Sequence, residues 1–460
     1  MRLRSLSLIV IGSMVIAVAS QAQTFTELAT LSYYGLNQLS SLVQGTDGNF
    51  YGTSSAGGTT GYGTVFKVSP SGALTTVYNF CQQPNCADGY SSGAPMVLAT
   101  DGNLYGSAGG GAYNLGAIFK ITPEGTYTIL HSFNGTDGSF PSGLVQATGG
   151  FLYGATSEGG TNSNGTVFSI TADGAVTTLY SFCSANCADG WGPLGPIQGE
   201  DGNLYGTTVG GGNYSGCYGG CGGVFKLTTS GEFTSLHSFD LTDGAEPFAP
   251  VVQARNGSFY GTTFHGGIGS AYGYGSLYRV SSGGIFKDAY DFQFWNGGPT
   301  SGLTLASDGN LYAGTYGNEG GGYIYEFVLT PPVTIKTLYT WYQCCGGGTV
   351  PFQATDGRFY GTYYINDGYT GAIYRLDTGL GPLVAFVQPT GKSGATAQIL
   401  GQGLTGTTTV TFNGVAATKF TVVSDTYMTA VVPSGATTGP VVVTTPGGAL
   451  TSNVSFRIIN

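Results

Sequence analysis

The stretch TDGNLYG at residues 100–106 decides how this chain folds, because near copies of it recur along most of the sequence. The other six copies are TDGNFYG at 46–52, TGGFLYG at 148–154, EDGNLYG at 200–206, RNGSFYG at 255–261, SDGNLYAG at 307–314 and TDGRFYG at 355–361. Successive motif tyrosines lie 48 to 55 residues apart. A period of about 50 residues indicates one structural unit repeated seven times.

Each unit holds four short β-rich runs, which in the second unit are 95–100, 103–107, 117–122 and 127–133. Asp-Gly and Pro-x-Gly between the runs are typical of tight hairpin turns, because glycine tolerates positive φ. The glycine after the motif tyrosine is expected to let a neighbouring blade approach. The pattern predicts an all-β chain with a seven-bladed β-propeller over 24–380. The opening TFTELATLSYY at 24–34 resembles a fourth strand, so we expect it to complete the seventh blade and close the ring.

The two ends of the chain differ from the repeats. Residues 1–22 carry two arginines, an apolar run and small residues, the pattern of a signal peptide, so we expect a secreted, extracellular or cell-surface protein. No later run is long and apolar enough to span a membrane. Residues 382–460 contain Val/Thr-rich runs and small turns, which predict an immunoglobulin-like β-sandwich.

Two resemblances follow from these residues. The pattern DGN-L/F-YG, then GTVFKI-type and LHSF-type runs, resembles the GloVer (Gloeobacter/Verrucomicrobia) repeat of secreted bacterial proteins over roughly 24–380. The tail, with ILGQGL, VTFNG and VPSG followed by GPVVVTTPGG, resembles an IPT/TIG domain. The repeat family has no assigned activity, so the resemblance implies location and fold rather than chemistry.

The charge balance argues against nucleic acid as a partner. The chain has 14 Lys and Arg against 24 Asp and Glu, a formal net charge of −10. A negative body repels phosphates and anionic surfaces, and the simplest role of this charge is solubility. We expect a monomeric propeller whose partner is an extracellular glycan or protein.

The eight cysteines of an exported chain are expected to form disulfides. Their spacing suggests four local pairs, Cys81 with Cys86, Cys183 with Cys187, Cys217 with Cys221, and the vicinal Cys344 with Cys345. The vicinal pair could equally stay reduced or pair elsewhere, because adjacent residues form a strained bridge. All eight fall in the longer loops that topology places at one end of the propeller, and loops on a rigid scaffold are where binding concentrates.

A catalytic centre is not apparent in the sequence, and no catalytic residue is assigned. His131 and His237 occupy positions filled by Tyr78 and Tyr180 in sister repeats, which indicates packing. His265 has no evident nucleophile beside it. The recurring loop aspartates Asp88, Asp137, Asp189 and Asp243 either shape Asp-Gly turns or offer oxygen ligands to calcium near the axis; no other cofactor is indicated.

Loop tyrosines are the candidate contacts for a ligand, because a tyrosine combines an apolar face with a hydroxyl. The candidates are Tyr62, Tyr113, Tyr214, Tyr218, Tyr272, Tyr274, Tyr316 and Tyr369. The sequence therefore favours a non-catalytic binding or adhesion module. The alternatives are a calcium-dependent lactonase-like or lyase-like propeller enzyme and a structural surface spacer.

Overall fold

The computed structural model describes residues 23–32, 39–91, 93–184, 186–213, 216–267, 273–293, 298–299, 301–316, 321–341, 348–365 and 370–459. Within these ranges the chain is β-structure and turns, with one 3-10 turn at Pro84–Cys86 and no α-helix. No helix in the described part is therefore long and apolar enough to cross a membrane. The expected signal peptide at 1–22 lies outside the described residues.

Seven antiparallel sheets occupy the described residues between 24 and 377, and we number them along the chain. Sheet 1 comprises Val43–Gln44, Phe50–Ser54, Thr64–Val68 and Leu74–Asn79, and sheet 2 comprises Tyr90–Ser91 with Val97–Leu98, Leu104–Gly109, Ala117–Ile121 and Tyr127–Ser132. Sheet 3 comprises Ser139–Gln146, Leu152–Glu158, Thr166–Ile170 and Val176–Ser181. Sheet 4 comprises Trp191–Pro193 with Ile197–Gln198, Leu204–Gly210, Gly223–Leu227 and Phe233–Ser238. Sheet 5 comprises Val252–Gln253, Phe259–Thr262, Ser276–Val280 and Phe286–Asp291. Sheet 6 comprises Gly298–Pro299 with Thr304–Leu305, Leu311–Tyr316, Gly322–Val328 and Thr334–Trp341. Sheet 7 comprises Phe352–Gln353, Phe359–Ile365, Thr370–Asp377 and Thr24–Ser32.

The first strand of the chain completes the last sheet, as the repeat pattern predicts. Thr24–Ser32 pairs antiparallel with Thr370–Asp377. Successive sheets share buried apolar clusters; Phe119 of sheet 2, for example, packs in one cluster with Phe80 after sheet 1. A further cluster joins Tyr360 of sheet 7 to Phe50 of sheet 1, so the succession of sheet contacts closes on itself.

The repeated glycine makes room inside its own sheet. Gly106 lies opposite Phe119 of the third strand, and a Cβ on Gly106 would come within 2.5 Å of the Phe119 ring. The same relation holds for Gly52 with Phe66 and for Gly206 with Phe225. The expectation that this glycine admits a neighbouring blade is therefore wrong: it admits the aromatic side chain of the strand beside it, which a larger residue would displace.

Glutamines at the end of the first strands tie five of the seven described sheets to the sheet before them. The Gln198 Oε1 atom accepts hydrogen bonds from the Thr148 backbone N–H and hydroxyl, both at 2.9 Å. Its Nε2 donates to the Gly202 carbonyl at 2.9 Å. Gln146, Gln253, Gln353 and Gln44 accept the corresponding backbone bond from the preceding sheet, and Gln44 links sheet 1 to Thr355 of sheet 7.

The C-terminal residues form two further four-stranded sheets and a parallel strand pair. The strands are Ala385–Phe386, Thr396–Leu400, Tyr427–Val431 and Phe420–Val422; Val415–Ala416, Thr409–Phe412, Val441–Thr445 and Gly448–Thr451; and Thr390–Gly391 with Arg457–Ile458. Ile399 and Met428 from one sheet and Phe412 and Val443 from the other meet in one buried cluster. The two sheets thus pack face to face around a common core.

This C-terminal unit lies on the motif turns of the repeats. The Gln398 amide donates to the Thr100 carbonyl at 2.8 Å, and the Thr426 hydroxyl donates to the Thr46 carbonyl at 2.9 Å. Arg255 donates to the Asn453 carbonyl at 3.1 Å. Further bonds reach Ala147, Glu200 and Thr355, so the motif turns of six of the seven described sheets contact the C-terminal unit.

Candidate functional site

The seven sheets present two different edges. The turn edge carries the short turns that join the first strand to the second and the third to the fourth, and the C-terminal unit covers its motif turns. The loop edge carries the second-to-third loops and the connections between sheets. The loop edge is the end where those cysteines and candidate tyrosines that the structure describes lie.

Three disulfides brace loop-edge connections. Cys81 is bonded to Cys86, Cys183 to Cys187 and Cys217 to Cys221, as the spacing predicts. The pair Cys344 and Cys345 lies outside the described residues. Bridges that close such short loops add little chain entropy, so their effect is to fix loop conformation rather than to stabilise the whole fold.

The four loop aspartates fold their own loops against the fourth strand. Asp88 accepts hydrogen bonds from the Tyr78 hydroxyl at 2.7 Å and the Gln82 backbone N–H at 2.8 Å. Asp189 pairs in the same way with Tyr180 at 2.7 Å. The remaining pairs are His131 with Asp137 and His237 with Asp243, each at 2.7 Å between Nε2 and Oδ2. Histidine and tyrosine thus occupy equivalent positions, with the aspartate as their common partner.

These contacts bear on the calcium hypothesis, which stays a prediction. Burial alone would raise the pKa of Asp189, but hydrogen bonds from the Ser184 N–H and the Tyr180 hydroxyl outweigh it and hold that pKa below its usual range. The Asp189 carboxylate oxygens already accept hydrogen bonds from Tyr180 on the fourth strand and from Ser184, which follows that strand. Among the described residues, no three His, Cys, Asp or Glu side chains are grouped closely enough to hold a metal ion.

The candidate tyrosines divide into three groups. Tyr62, Tyr113 and Tyr218 are exposed, with Tyr218 fully so. Tyr274 packs against the buried cluster between sheets 5 and 6, and Tyr316 ends a strand of sheet 6. Tyr214, Tyr272 and Tyr369 lie outside the described residues. Among the candidate tyrosines that the structure describes, Tyr62, Tyr113 and Tyr218 thus present an exposed ring.

Sequence reasoning missed three further aromatic residues at the loop edge. Phe140, Trp191 and Phe248 each follow a loop Asp-Gly pair by one to four residues, and Phe140 and Trp191 lie where a first strand begins. Phe140 and Phe248 are 43% and 46% exposed, which is unusual for phenylalanine, and Trp191 is half-buried. An aromatic residue soon after a loop Asp-Gly was the available signal. We call Tyr113, Phe140, Trp191, Tyr218 and Phe248 the aromatic arc.

Contacts between neighbouring loops join the arc. The Phe140 N–H donates to the Leu115 carbonyl at 2.7 Å, in the loop that carries Tyr113. Trp191 donates through its ring N–H to the Gly219 carbonyl at 2.8 Å, beside Tyr218. The Cys217–Cys221 loop then meets the next connection, because the Glu246 N–H donates to the Cys221 carbonyl at 2.9 Å. These bonds link the loops that carry the arc from sheet 2 to sheet 3 and from sheet 4 to sheet 5.

Several non-glycine residues of this region hold left-handed backbone, Phe140 and Glu246 among them. Phe140 has φ of 56° and Glu246 has φ of 54°. A side chain at such φ costs about 1–3 kcal/mol, and residues that keep this conformation cluster at binding and active sites. In Phe140 the strained backbone accompanies an exposed apolar ring, which a purely structural position would bury.

A histidine–carboxylate pair lies at the sheet 5 end of the arc. His265 Nε2 is 3.9 Å from Glu246 Oε2, and both side chains are more than a third exposed. The Phe264 ring packs edge-on against both His265 and the Phe248 ring, with centroids 4.6 and 5.4 Å apart. This group was not recognised from the sequence, because its members come from two loops 19 residues apart.

Similar structures support the fold. A streptogramin B lyase structure matches with a TM-score of 0.54 and 15% identity, over 78% of this chain and 99% of that one. A catalytically inactive virginiamycin B lyase from Staphylococcus aureus, solved with quinupristin, matches with a TM-score of 0.54 and 14% identity, over 77% and 99%. At these identities the likeness shows a propeller-like, all-β fold and nothing about activity. No curated protein sequence matches this chain.

The sequence family is shown directly. The Gloeobacter/Verrucomicrobia repeat model matches residues 12–218 and again 192–423, which together span most of the chain. The matched region contains all seven motif copies and the described sheets built from them. The chain belongs to the Gloeobacter/Verrucomicrobia repeat family.

Proposed function

We propose that this protein is an exported carbohydrate-binding module that holds a glycan on its aromatic arc and catalyses no reaction on it. The observation that carries the proposal is a group of four exposed aromatic side chains and the half-buried Trp191 on the loop edge, while the C-terminal unit covers motif turns of the opposite edge. Exposed Phe and Tyr rings grouped on one edge of a protein mark interaction surfaces.

The proposed architecture follows the repeats. Residues 24–380 form a monomeric seven-bladed propeller, residues 382–460 an IPT/TIG-type immunoglobulin-like domain, and residues 1–22 a cleaved signal peptide. The closed succession of sheet contacts and the face-to-face sheets of the C-terminal unit support the first two assignments. Three disulfides fit an extracellular location.

A glycan suits the arc better than a protein. Sugar rings stack on aromatic faces and take hydrogen bonds from tyrosine hydroxyls, and the surrounding loops consist largely of Gly, Ser, Asn and Thr. The Trp191 ring N–H donates a hydrogen bond to the Gly219 carbonyl, which holds the ring in a fixed orientation. A protein partner is the alternative occupant, and a spacer without a ligand is the outcome if nothing binds.

The test is binding of the mature protein to a panel of polysaccharides, followed by calorimetry with Phe140→Ala, Tyr218→Ala and Phe248→Ala. Each is expected to weaken binding about tenfold, the effect of roughly 1.4 kcal/mol. Phe151→Ala is the matched control, because Phe151 is a phenylalanine 44% exposed on the turn edge. Arc variants that bind as well as the control would refute the proposal, and binding lost on calcium removal would favour the metal site.

A second candidate is a lyase-like or lactonase-like enzyme, which the His265–Glu246 pair favours. An imidazole and a carboxylate beside aromatic walls can move a proton to or from a bound substrate. The lyase neighbours share the fold, one of them solved with quinupristin. Incubation with quinupristin and simple lactones, followed by mass spectrometry, tests this reading; turnover by the wild type that is lost in His265→Gln would establish it.

A further inference from the structure

A cleft lies between the C-terminal unit and the turn edge, at the opposite end from the aromatic arc. It has a volume of about 250 Å³ and is bounded by first strands of sheets 3 to 5 and by residues 388–390 and 454–457. Water takes about 30 Å³ per molecule, so the cleft holds roughly eight waters or one ligand of about a dozen non-hydrogen atoms. Exposed Glu200 and Ser455 mark where it meets solvent.

The walls of this junction cleft are mostly apolar. Val145 and Ile197 contribute from the repeats, and Pro389 and Val454 from the C-terminal unit. Three of the four glutamines that also line it use both their oxygen and their amide within the protein; Gln198, for example, uses its oxygen on Thr148 and its amide on Gly202. An apolar cleft with a few convergent polar groups is the usual form of a small-ligand site.

Three polar groups of the cleft are left for a ligand. Gln388 uses its amide nitrogen on the Ala147 carbonyl at 2.6 Å, which leaves its Oε1 atom as an acceptor. Within the described residues no hydrogen bond or ion pair within 4.0 Å engages the Glu200 carboxylate or the Ser455 hydroxyl. Acceptors and a hydroxyl around apolar walls match the alternating faces of a sugar ring.

The charges in the cleft favour a neutral ligand. Arg457 donates to the Glu200 carbonyl at 2.6 Å and the Thr148 hydroxyl at 2.7 Å, which fixes its guanidinium as a donor on the cleft wall. Burial lowers the pKa of Arg457, and the nearby Asp201 and Glu200 carboxylates oppose that change. Because a guanidinium and a carboxylate share the cleft, a net anion or a net cation each meets repulsion as well as attraction.

We propose that the junction cleft is a second ligand site that takes one neutral monosaccharide unit. Hydroxyl groups of the ligand donate to Gln388 Oε1 and the Glu200 carboxylate and accept from Ser455 and Arg457. Its apolar face lies on Val145, Ile197 and Val454. The proposal is independent of the aromatic arc, because no residue belongs to both sites.

The test uses saturation-transfer NMR on the full mature protein with glucose, galactose, mannose and xylose, and glucuronate as the anionic comparison. The five arc substitutions Tyr113→Ala, Phe140→Ala, Trp191→Ala, Tyr218→Ala and Phe248→Ala together provide a background without the arc. In that background at least one neutral sugar is expected to give a signal stronger than glucuronate. Ser455→Trp, which fills the opening from an exposed position, is expected to abolish it, and Glu200→Gln to weaken binding about tenfold.

Thr444→Trp is the matched control, since Thr444 is an exposed strand residue of the same unit and does not line the cleft. Unchanged melting temperatures show that the variants stay folded. No sugar signal in the arc-less background, or a signal that survives Ser455→Trp, overturns the cleft proposal. Loss of binding only in the arc variants would instead support the arc and refute the cleft.

Discussion

The carboxylate of the repeated motif offers a quantitative test of how the turn is held. Asp101 accepts hydrogen bonds from the Asn103 backbone at 3.1 Å, the Asn103 side chain at 2.7 Å and the Tyr105 hydroxyl at 2.7 Å. Tyr105 is 1% exposed, so its ring is fixed and its hydroxyl depends on this partner. Sheet 3 is a natural comparison, because Gly149 replaces the aspartate there while Tyr153 remains.

The expected magnitudes follow from these bonds. A hydrogen bond to a charged group contributes about 1.5–3 kcal/mol when buried, and partial exposure of the carboxylate reduces the Tyr105 contribution to about 1–2 kcal/mol. Loss of all three bonds in Asp101→Ala costs about 2–3 kcal/mol of unfolding free energy. The Asp101→Ala and Tyr105→Phe pair should show a coupling energy of about 1–2 kcal/mol.

The assay is urea-induced unfolding of the mature protein, with the four members of the double-mutant cycle measured together. Tyr153→Phe is the control and should cost less than Tyr105→Phe, since Tyr153 has no aspartate partner. A coupling energy below about 0.3 kcal/mol, within the error of additivity, would refute the hydrogen-bonded turn as a source of stability.

The same carboxylate predicts a pH dependence. Burial raises the pKa of Asp101, but the bonds from Asn103 and Tyr105 outweigh it, so the folded-state pKa lies below the ordinary 3.8. The stabilisation is therefore fully present above about pH 4 and is lost as pH falls through the lower folded-state pKa. The difference between wild type and Asp101→Ala should shrink in that acidic window and stay constant from pH 5 to about 8.

Three further predictions use other contacts. Gln198→Leu should lower the free energy of unfolding by about 1–3 kcal/mol, because it leaves the Thr148 N–H and the Gly202 carbonyl without their partner. Leucine fits this position, since Leu98 and Leu305 occupy the equivalent positions of sheets 2 and 6. Urea unfolding that matches wild type would contradict a stabilising role of this inter-sheet bond. Burial and the neighbouring Asp291 carboxylate raise the pKa of Asp288 to about 7, so the free energy of unfolding should fall as pH rises from about 4 to 7. Asp288→Asn should remove that fall. Parallel pH profiles of wild type and variant would refute this assignment to Asp288. Replacing both Cys217 and Cys221 with Ser should weaken glycan binding, because the bridge positions the loop that carries Tyr218. The melting temperature should change little, since the closed loop is short. A large loss of stability with unchanged binding would contradict the role assigned to this bridge.

The architecture was predictable because its signals are local and repeated. The period of the TDGNLYG motif, the Asp-Gly turns and the apolar runs each act within one sheet, so the strand order of every sheet follows from the sequence. The closing strand Thr24–Ser32 was also predictable, since the first run matches a fourth strand that the seventh repeat lacks. The cysteine pairs Cys81–Cys86, Cys183–Cys187 and Cys217–Cys221 were found for the same reason, their proximity in sequence.

The surfaces with functional promise were decided by tertiary structure. The partner of Gly106 is Phe119 of its own sheet, and strand register rather than composition settles that. The aromatic arc joins Phe140, Trp191 and Phe248 from three sheets, and the junction cleft needs Arg457 to meet Glu200 across more than 250 residues. A sequence repeat predicts the contacts within and between adjacent units, because those contacts recur in every unit. A site that is formed once, from distant loops and a separate C-terminal unit, produces no repeated pattern in the sequence. Only the tertiary structure therefore shows it.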